Sequence, residues 1–329
     1  MLCKGRTVVK FDIGPRQYEL VEGWGELPEG WKWGLCAGVA CDSQDNVHVF
    51  TRTEHPYMVF DKKGKLIDEW GGQIFGSPHG ICITPNNDVY LVDTVTHLVT
   101  KWDKNFRHKM SLGKHHQPSD TGYTKEIRQP VDDPNISGGG IPIINGVGHG
   151  AGPFHQPTDV SIAENGDIFV SDGYRNSRAH KFSADGTLVK SWGEPGNAQD
   201  LKGTKDKPGF FHTPHGIWTH KGLVYVSDRE NYRIQVYTTE GEFVEIWTGF
   251  QRPTKIYMDK NEVMYVSELD DSFCLVNLDG TIIGRYGSER SNDPGKFWGP
   301  HCIWVDSEDS IYVAEVLGGS RLQKFARVK

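Results

Sequence analysis

Three histidines of this 329-residue chain each follow a proline in short segments of similar sequence. His79 stands in Ser-Pro-His-Gly-Ile, His215 in Thr-Pro-His-Gly-Ile and His301 in Gly-Pro-His-Cys-Ile. Three imidazoles that converge and leave one position open are a common way of holding a catalytic zinc ion. The sequence therefore raises the hypothesis of a metal centre built from residues far apart in the chain.

The histidines belong to an internal repeat of short apolar strands. Each unit has a strand after a proline, a polar turn, a second strand rich in β-branched and aromatic residues, and two more strands joined by a glycine-containing turn. Four strands in a period of about forty residues are typical of a β-propeller. We predict an all-β fold, with residues 1–329 forming a single domain, a six-bladed β-propeller. The units begin near Gly34, Gly76, Phe154, Phe211, Gln251 and Phe297.

The last unit runs out of chain after its third strand, at residues 322–325, while a strand-like segment at 16–21 precedes the first unit. An open array would leave edge strands that invite aggregation. We therefore predict that the N-terminal strand completes the last blade and closes the ring. Two loop insertions, at about 114–153 and 194–209, interrupt the repeat, and loops of this length are usually lids, binding loops or disordered segments.

The register of the repeat places the histidines on alternate blades. Counted back from the central residue of each second strand, the equivalent positions around the ring are Ala37, His79, Thr158, His215, Thr254 and His301. A single histidine at a strand start is more often structural than a ligand. Three at equivalent positions of alternate blades face one axis, so we predict that His79, His215 and His301 bind a metal ion.

Residues that end the second strands should overlook this metal. The first two strands of a blade run antiparallel, so the end of the second lies at the same face as the start of the first. Arg52, Tyr174 and Arg229 occupy such positions and are candidates for the site.

Composition limits the partners. The net charge is -7, and Lys and Arg are scattered rather than gathered in a stripe, which argues against nucleic acid. There is no apolar run long enough to cross a bilayer and no apolar signal segment at the start, so we expect a cytoplasmic location. The six cysteines show no pairing pattern, and we expect reduced, structural thiols. We expect a small-molecule substrate, no membrane and no obligate protein partner.

The repeats resemble NHL repeats, and several segments closely resemble peptidyl-α-hydroxyglycine α-amidating lyase, also called peptidylamidoglycolate lyase. The matching segments are HQPTDV at 155–160, VSDGYRNSR at 170–178, SWGE at 191–194, a Pro-Gly-Phe element, TPH at 213–215 and DRENYRIQ at 228–235. The likeness covers most of the chain from about Arg52 onward and is densest in the third and fourth units.

The resemblance implies a site and a reaction. In that family the Pro-His histidines bind zinc, and they correspond to His79, His215 and His301. The family's catalytic pair corresponds to Tyr174 and Arg52, and its second substrate-binding arginine to Arg229. The reaction splits a carbinolamide into an amide and an aldehyde such as glyoxylate. Tyr174 would take the proton of the substrate hydroxyl, and Arg52 would favour the phenolate and steady the developing charge.

Two positions depart from the family pattern. Gly299 stands where the family has Met, which predicts a differently shaped substrate pocket. Cys302 stands where the family has an Asp that belongs to a structural calcium site. Because calcium requires oxygen ligands and a thiol is a poor substitute, we predict one zinc ion but no calcium.

Two other functions compete with the lyase hypothesis. In a zinc hydrolase, metal-bound hydroxide would attack an ester, lactone or amide, and Tyr174 would have only a supporting role. A non-catalytic NHL propeller would serve as a binding scaffold. The three aligned histidines and the lack of a basic face argue against the scaffold.

Overall fold

The computed structural model describes residues 9–125, 127–129, 141–196 and 206–329, with 127–129 and 141–144 described by their backbone alone. The predicted insertions at 114–153 and 194–209 therefore lie partly outside the described residues. The strands are β1 Lys10–Ile13, β2 Arg16–Leu20, β3 Leu35–Cys41, β4 Val47–Arg52, β5 Tyr57–Phe60, β6 Leu66–Trp70, β7 Pro78–Ile83, β8 Val89–Asp93, β9 Leu98–Trp102, β10 His108–Gly113, β11 Ile127–Gln129, β12 Ile141–Ile144, β13 Asp159–Ile162, β14 Ile168–Asp172, β15 Arg178–Phe182, β16 Leu188–Trp192, β17 Glu194–Pro195, β18 Phe210–Phe211, β19 Pro214–His220, β20 Leu223–Asp228, β21 Arg233–Thr238, β22 Phe243–Thr248, β23 Pro253–Met258, β24 Met264–Glu268, β25 Ser272–Val276, β26 Ile282–Gly287, β27 Pro300–Val305, β28 Ile311–Glu315 and β29 Leu322–Arg327.

Six antiparallel sheets form the blades of a propeller. In strand order they are β3-β4-β5-β6, β7-β8-β9-β10, β13-β14-β15-β16, β19-β20-β21-β22, β23-β24-β25-β26 and β27-β28-β29-β2-β1, here called blades 1 to 6. The first strand of each blade lines the central channel, and apolar side chains from facing blades pack together into the core. A short 3-10 helix, Arg229–Asn231, follows β20. The six-bladed all-β fold is confirmed.

The N-terminal segment closes the ring, as predicted. β2 pairs with β29 in antiparallel register, with Leu20 opposite Phe325. The structure adds a strand that sequence reasoning missed, because β1 pairs with β2 and makes blade 6 five-stranded. Phe11 of β1 stacks on Tyr286 of blade 5 with ring centroids 3.5 Å apart. The N-terminal hairpin thus fastens the last two blades together.

Irregularities at the start of the first strands aim residues at the axis. The pairing register shifts between Pro78 and Ile81, between Pro214 and Ile217, and between Pro300 and Cys302. A β-bulge leaves a residue unpaired and turns its side chain away from the regular alternation. Each histidine lies in such a bulge, and so it can face the channel together with the residue that follows it.

In five of the blades, an acidic side chain at the end of the second strand accepts hydrogen bonds from backbone amides that precede the first strand. Asp93 accepts hydrogen bonds from the Gly76 and Ser77 amides at 2.6 and 2.9 Å, and Glu315 accepts one from the Trp298 amide at 2.8 Å. The equivalent carboxylates in blades 3, 4 and 5 are Asp172, Asp228 and Glu268. Blade 1 has Thr51 at this register, paired with Cys36, and the Thr51 hydroxyl donates to the Leu35 carbonyl at 3.1 Å. Thr51 is therefore the one residue of the six at this register that is not a carboxylate, and Arg52 follows it.

Candidate metal centre

The three histidines converge on the channel axis, and together they could hold a metal ion. One potential ligand atom from each of His79, His215 and His301 lies within 4.8 Å of the others. The ring centroids are 4.6 to 4.8 Å apart. The residues are only 1%, 2% and 4% exposed, so the imidazoles line a sheltered position at the mouth of the channel.

Each imidazole is oriented by a backbone carbonyl of the next blade. The Nδ1 atoms of His79, His215 and His301 lie 2.5, 3.0 and 2.7 Å from the carbonyl oxygens of Thr158, Thr254 and Ala37. A carbonyl only accepts, so Nδ1 carries the proton and Nε2 presents its lone pair to the axis. A second hydrogen bond of this kind is what metal-binding histidines usually have. The donor set therefore fits a divalent metal.

Glycine at the following position allows this close approach. A Cβ on Gly80 would stand 2.7 Å from the Thr158 oxygen, and one on Gly216 would overlap the Thr254 oxygen. These oxygens are the acceptors of the His79 and His215 hydrogen bonds. Any larger residue after either histidine would push the neighbouring blade away from the ring.

Burial and positive charge keep the imidazoles neutral. Burial, followed by the charges of His301 and Arg52, holds the pKa of His79 well below its usual range. Burial and the charge of Arg229 have the same effect on the pKa of His215. Burial and Arg52 lower the pKa of His301 to about 3. Neutral imidazole is the form that binds metal, so all three rings are ready as ligands at neutral pH.

Tyr174 lies directly over the histidines. Its hydroxyl oxygen is 2.9 Å from Nε2 of His79 and 3.3 Å from Nε2 of His215. The tyrosine is carried on the turn after β14, where a Cβ on Gly173 would overlap the Pro214 carbonyl oxygen. The absence of a side chain at Gly173 is what lets this turn rest on the strand that carries His215.

Arg229 covers the tyrosine and is itself held in place. Its guanidinium carbon lies 5.5 Å from the centroid of the Tyr174 ring. Glu230 accepts from Nε of Arg229 at 2.8 Å and from Arg252 at 2.7 and 3.0 Å. Burial opposes ionisation of Glu230, but Arg252 and Arg229 outweigh it and hold the pKa of that carboxyl well below its usual range. Sequence reasoning missed Glu230 and Arg252, although a buried charge such as that of Arg229 must be paired.

Arg52 of blade 1 lies next to the strand of blade 2 that carries His79. Its Nε donates to the Pro78 carbonyl at 3.0 Å, which places it beside the strand start that carries His79. The structure thus brings all six predicted site residues to one face. It puts Arg229 against Tyr174, whereas the resemblance pairs that tyrosine with Arg52.

A charged pair fills the channel beneath the histidines. Nζ of Lys255 lies 2.7 and 2.8 Å from the two carboxylate oxygens of Asp159, and the residues are 3% and 2% exposed. Cys302 lies at the same level, with its Sγ 3.4 Å from the Val39 carbonyl. The positive charge that balances the buried Asp159 carboxylate is therefore the ammonium group of Lys255. The sequence could have indicated these residues. Asp159, Lys255 and Cys302 directly follow Thr158, Thr254 and His301, which occupy equivalent positions in their blades.

Other histidines and the cysteines divide by location. His115, His116 and His149 are exposed loop residues. His212 lies in the short loop between β18 and β19 and is only 1% exposed, and its carbonyl accepts a hydrogen bond from the Glu230 amide at 3.1 Å. Cys36, Cys41, Cys82, Cys274 and Cys302 are free and buried. Among the described residues, no helix has the length and apolar character needed to span a membrane.

The family model of the NHL repeat matches residues 75–102, which include β7, β8 and β9. Curated relatives extend the likeness over most of the chain. A peptidyl-α-hydroxyglycine α-amidating lyase of Drosophila melanogaster is 30% identical over 349 residues, covering 89% of this chain and 57% of the relative. A probable lyase of the same name from Caenorhabditis elegans is 33% identical over 184 residues, covering 55% and 42%.

The chain is a six-bladed propeller with an NHL-repeat match in its second blade, and it resembles the amidating lyases. A peptidylglycine α-amidating monooxygenase of Rattus norvegicus is 29% identical over 242 residues, which cover 64% of this chain. The chain spans only 21% of the length of that rat protein. The likeness thus concerns a part of each of these three relatives.

Solved structures show the same fold at lower identity. A streptogramin B lyase structure superposes with a TM-score of 0.61 at 15% identity, covering 97% of this chain and 100% of the other. A gluconolactonase from Xanthomonas campestris superposes with a TM-score of 0.61 at 11% identity, covering 96% and 91%. These likenesses support the propeller architecture.

Proposed function

We propose that this protein is a zinc-dependent lyase that cleaves the C–N bond of an N-(α-hydroxyalkyl) amide to an amide and an aldehyde such as glyoxylate. The observation that carries the proposal is the position of the Tyr174 hydroxyl, 2.9 and 3.3 Å from two histidine Nε2 atoms at the three-histidine centre. A proton acceptor at this place suits a substrate whose hydroxyl group must be deprotonated. The names of the amidating-lyase relatives point to the same reaction class.

His79, His215 and His301 would hold the zinc ion through Nε2, since their Nδ1 atoms are engaged by backbone carbonyls. A zinc ion bound there would supply a Lewis acid that makes the substrate hydroxyl more acidic. The buried pair of Lys255 and Asp159 fills the channel below, so the small-molecule substrate would enter from the face that carries Tyr174.

The protein's own groups account for the proton transfers. Tyr174, as phenolate, takes the proton of the carbinol hydroxyl on its Oη atom. The electron pair left on that oxygen forms the aldehyde C=O bond while the C–N pair departs with the amide nitrogen. The proton on Tyr174 then passes to this nitrogen, so that tyrosine acts first as base and then as acid.

The arginines would orient the substrate and steady the negative charge that develops on it. Arg229 lies against the face of the Tyr174 ring, and Glu230 keeps its guanidinium in a defined orientation. Arg52 adds positive charge beside His79. Together the two arginines would attract a substrate that bears a carboxylate next to the carbinol carbon.

The Tyr174→Phe variant tests the assigned base. We expect kcat for an N-acyl-α-hydroxyglycine, such as N-benzoyl-α-hydroxyglycine, to fall on the order of 10²- to 10⁴-fold, the range typical of a lost acid-base group. Glyoxylate release measures the rate, and elemental analysis checks that the variant still binds metal like the wild type. Turnover that survives within a few-fold would show that another group takes the proton.

Metal removal tests the proposed cofactor. Dialysis against a chelator should abolish glyoxylate release, and one equivalent of zinc per chain should restore it. A matched His301→Ala variant should lose activity and fail to recover with zinc. Full activity of the chelated protein would contradict a metal-dependent reaction.

A further inference from the structure

The face opposite the histidines carries a two-lobed cavity that the proposed lyase site does not use. The histidines stand at the start of the first strands, whereas this cavity is lined by the turns between the first and second strands. The larger lobe has a volume of about 600 Å³ and the smaller about 340 Å³. Both are within the range of small-molecule sites. The lobes share the lining residues Ile83, Thr84, Pro85, Tyr257 and Trp304, so they form one continuous recess, here called the lower bowl.

The lower bowl arises from an asymmetry between the two halves of the ring. At one register of the first strands, blades 1 to 3 carry small residues and blades 4 to 6 carry large aromatic ones. In blade order these residues are Ala40, Cys82, Ser161, Trp218, Tyr257 and Trp304. The small side chains leave space at the channel mouth, and the aromatic side chains wall it.

The three aromatic rings form a connected surface. Tyr257 and Trp304 have ring centroids 4.4 Å apart, and Trp218 lies 5.4 Å from Tyr257 and 6.0 Å from Trp304. The rings are inclined to one another by 47° to 71°, as the walls of a box are. Trp218 and Tyr257 are partly exposed. Ring faces arranged in this way attract organic cations, above all alkylated ammonium groups.

The charge around the smaller lobe has the sign that suits a cation. Five aspartates and one lysine line it: Asp42, Asp45, Asp259, Asp306, Asp309 and Lys260. Two further cations lie next to this set, Arg16 at 2.8 Å from Asp259 and Lys324 at 3.8 Å from Asp306. Five carboxylates against these three cations leave an excess of two negative charges.

The lower bowl is separate from the metal centre. The Lys255 and Asp159 side chains fill the channel between them and are almost fully buried. The cavity directly beneath the imidazoles has a volume of only about 10 Å³. A molecule in the lower bowl therefore has no contact with the three histidines.

We propose that the lower bowl is a second binding site, for an amphipathic organic cation. The apolar body lies in the larger lobe against Trp218, and the ammonium group lies against Tyr257 and Trp304, which line both lobes, where it faces the aspartates of the smaller lobe. The chemical class is an aryl- or alkylammonium. The site is independent of the proposed lyase activity, and it needs neither the metal nor Tyr174.

Benzyltrimethylammonium is the probe for a binding test, with benzyl alcohol and phenylacetate as neutral and anionic counterparts. Calorimetry and tryptophan fluorescence should show one saturable site for the cation, at least tenfold tighter than for either counterpart. Binding should be the same in the metal-loaded, chelated and Tyr174→Phe proteins. Equal affinity for all three compounds, or no binding of the cation, would overturn the proposal.

Two sets of variants assign the site. Asp45 and Asp309 have φ values of 61° and 65°, which asparagine tolerates, so the double variant Asp45→Asn, Asp309→Asn should fold and bind the cation at least fivefold more weakly. Asp279→Asn, in an exposed turn of blade 5, is the matched control and should leave the affinity unchanged. Ala163→Trp at the partly buried edge of the larger lobe should block the apolar body. Unchanged affinity in both the aspartate variant and Ala163→Trp would refute this placement.

Discussion

At the scale of single residues, the centre depends on side chains in three blades and on backbone oxygens in the other three. His79, His215 and His301 supply the rings, while Ala37, Thr158 and Thr254 supply the carbonyl groups that orient them. The two threonine side chains have a separate role, because the Thr158 hydroxyl donates to the Pro214 carbonyl at 2.8 Å and the Thr254 hydroxyl to the Pro300 carbonyl at 3.2 Å. They therefore link their blades to the strands that carry His215 and His301.

Glu230 provides a test of how the arginines are held. With its pKa lowered in the folded state by Arg252 and Arg229, this carboxylate contributes stability above its unfolded value, near 4.5, and loses that contribution as the pH falls toward the folded value. Glu230→Gln should therefore destabilise the protein by about 3 to 5 kcal/mol at neutral pH, because it removes the carboxylate that the buried Arg229 and Arg252 share.

Thermal unfolding at pH 7.5 and pH 3.5 measures this effect. The difference in free energy of unfolding between the wild type and Glu230→Gln should be smaller at the lower pH. Glu240→Gln, at an exposed carboxylate of blade 4, is a control that should change stability by less than about 0.5 kcal/mol. If this difference in free energy stays constant or grows at low pH, Glu230 is not the stabilising anion.

At the scale of elements, the bulged strand starts and the turns after the second strands build the site. The repeat predicts that these two features share a face, and the structure bears this out. The bulges could not be read from the sequence, because an extra unpaired residue has no composition of its own. They explain how consecutive residues such as His301 and Cys302 both face the channel.

Gly173 tests the placement of the tyrosine-bearing turn. A methyl group at this position would overlap the Pro214 carbonyl oxygen, so Gly173→Ala should move Tyr174 away from His215. We expect kcat to fall at least on the order of tenfold while the metal content is retained, since a misplaced catalytic group is costly. Gly152→Ala is the control, because a Cβ there would meet nothing within 4 Å. Equal activity in the two variants would contradict this role for Gly173.

Arg52 shows what the pattern of an element can reveal. Thr51 stands where the other five blades have the structural carboxylate, so Arg52 shares its position in the blade with Arg229 of blade 4. A charged residue just past the carboxylate position, on the face of the histidines, is a candidate for function. The structure gives the reason, since Arg52 reaches across to the Pro78 carbonyl of blade 2.

At the scale of the whole molecule, ring closure is what brings residues 79, 215 and 301 together. The β2 and β29 strands join the two ends of the chain, and β1 covers the edge that would otherwise be exposed. The blades then place equivalent residues around one axis. The lower bowl is a property of this scale as well, since its walls come from all the first strands.

The charged pair in the channel predicts a large stability effect. Lys255→Met removes the ammonium from Asp159 and leaves a buried carboxylate without its cation, which should cost about 3 to 5 kcal/mol. Adding Asp159→Asn should recover most of the loss, because the amide oxygen can still accept from the Ile217 amide. Chemical unfolding of the single and double variants measures both values. A double variant no more stable than Lys255→Met would show that charge pairing is not the cause.

The sequence by itself determined the blade count, the closing strand and the alternation of the histidines, because these depend on a local period that repeats along the chain. The tertiary structure decided which groups touch. It placed Arg229 on Tyr174, Glu230 between two arginines, and Lys255 opposite Asp159, pairs that come from separate turns or blades. Such contacts depend on how facing blades pack and on the pairing of buried charges, which a one-dimensional period does not contain.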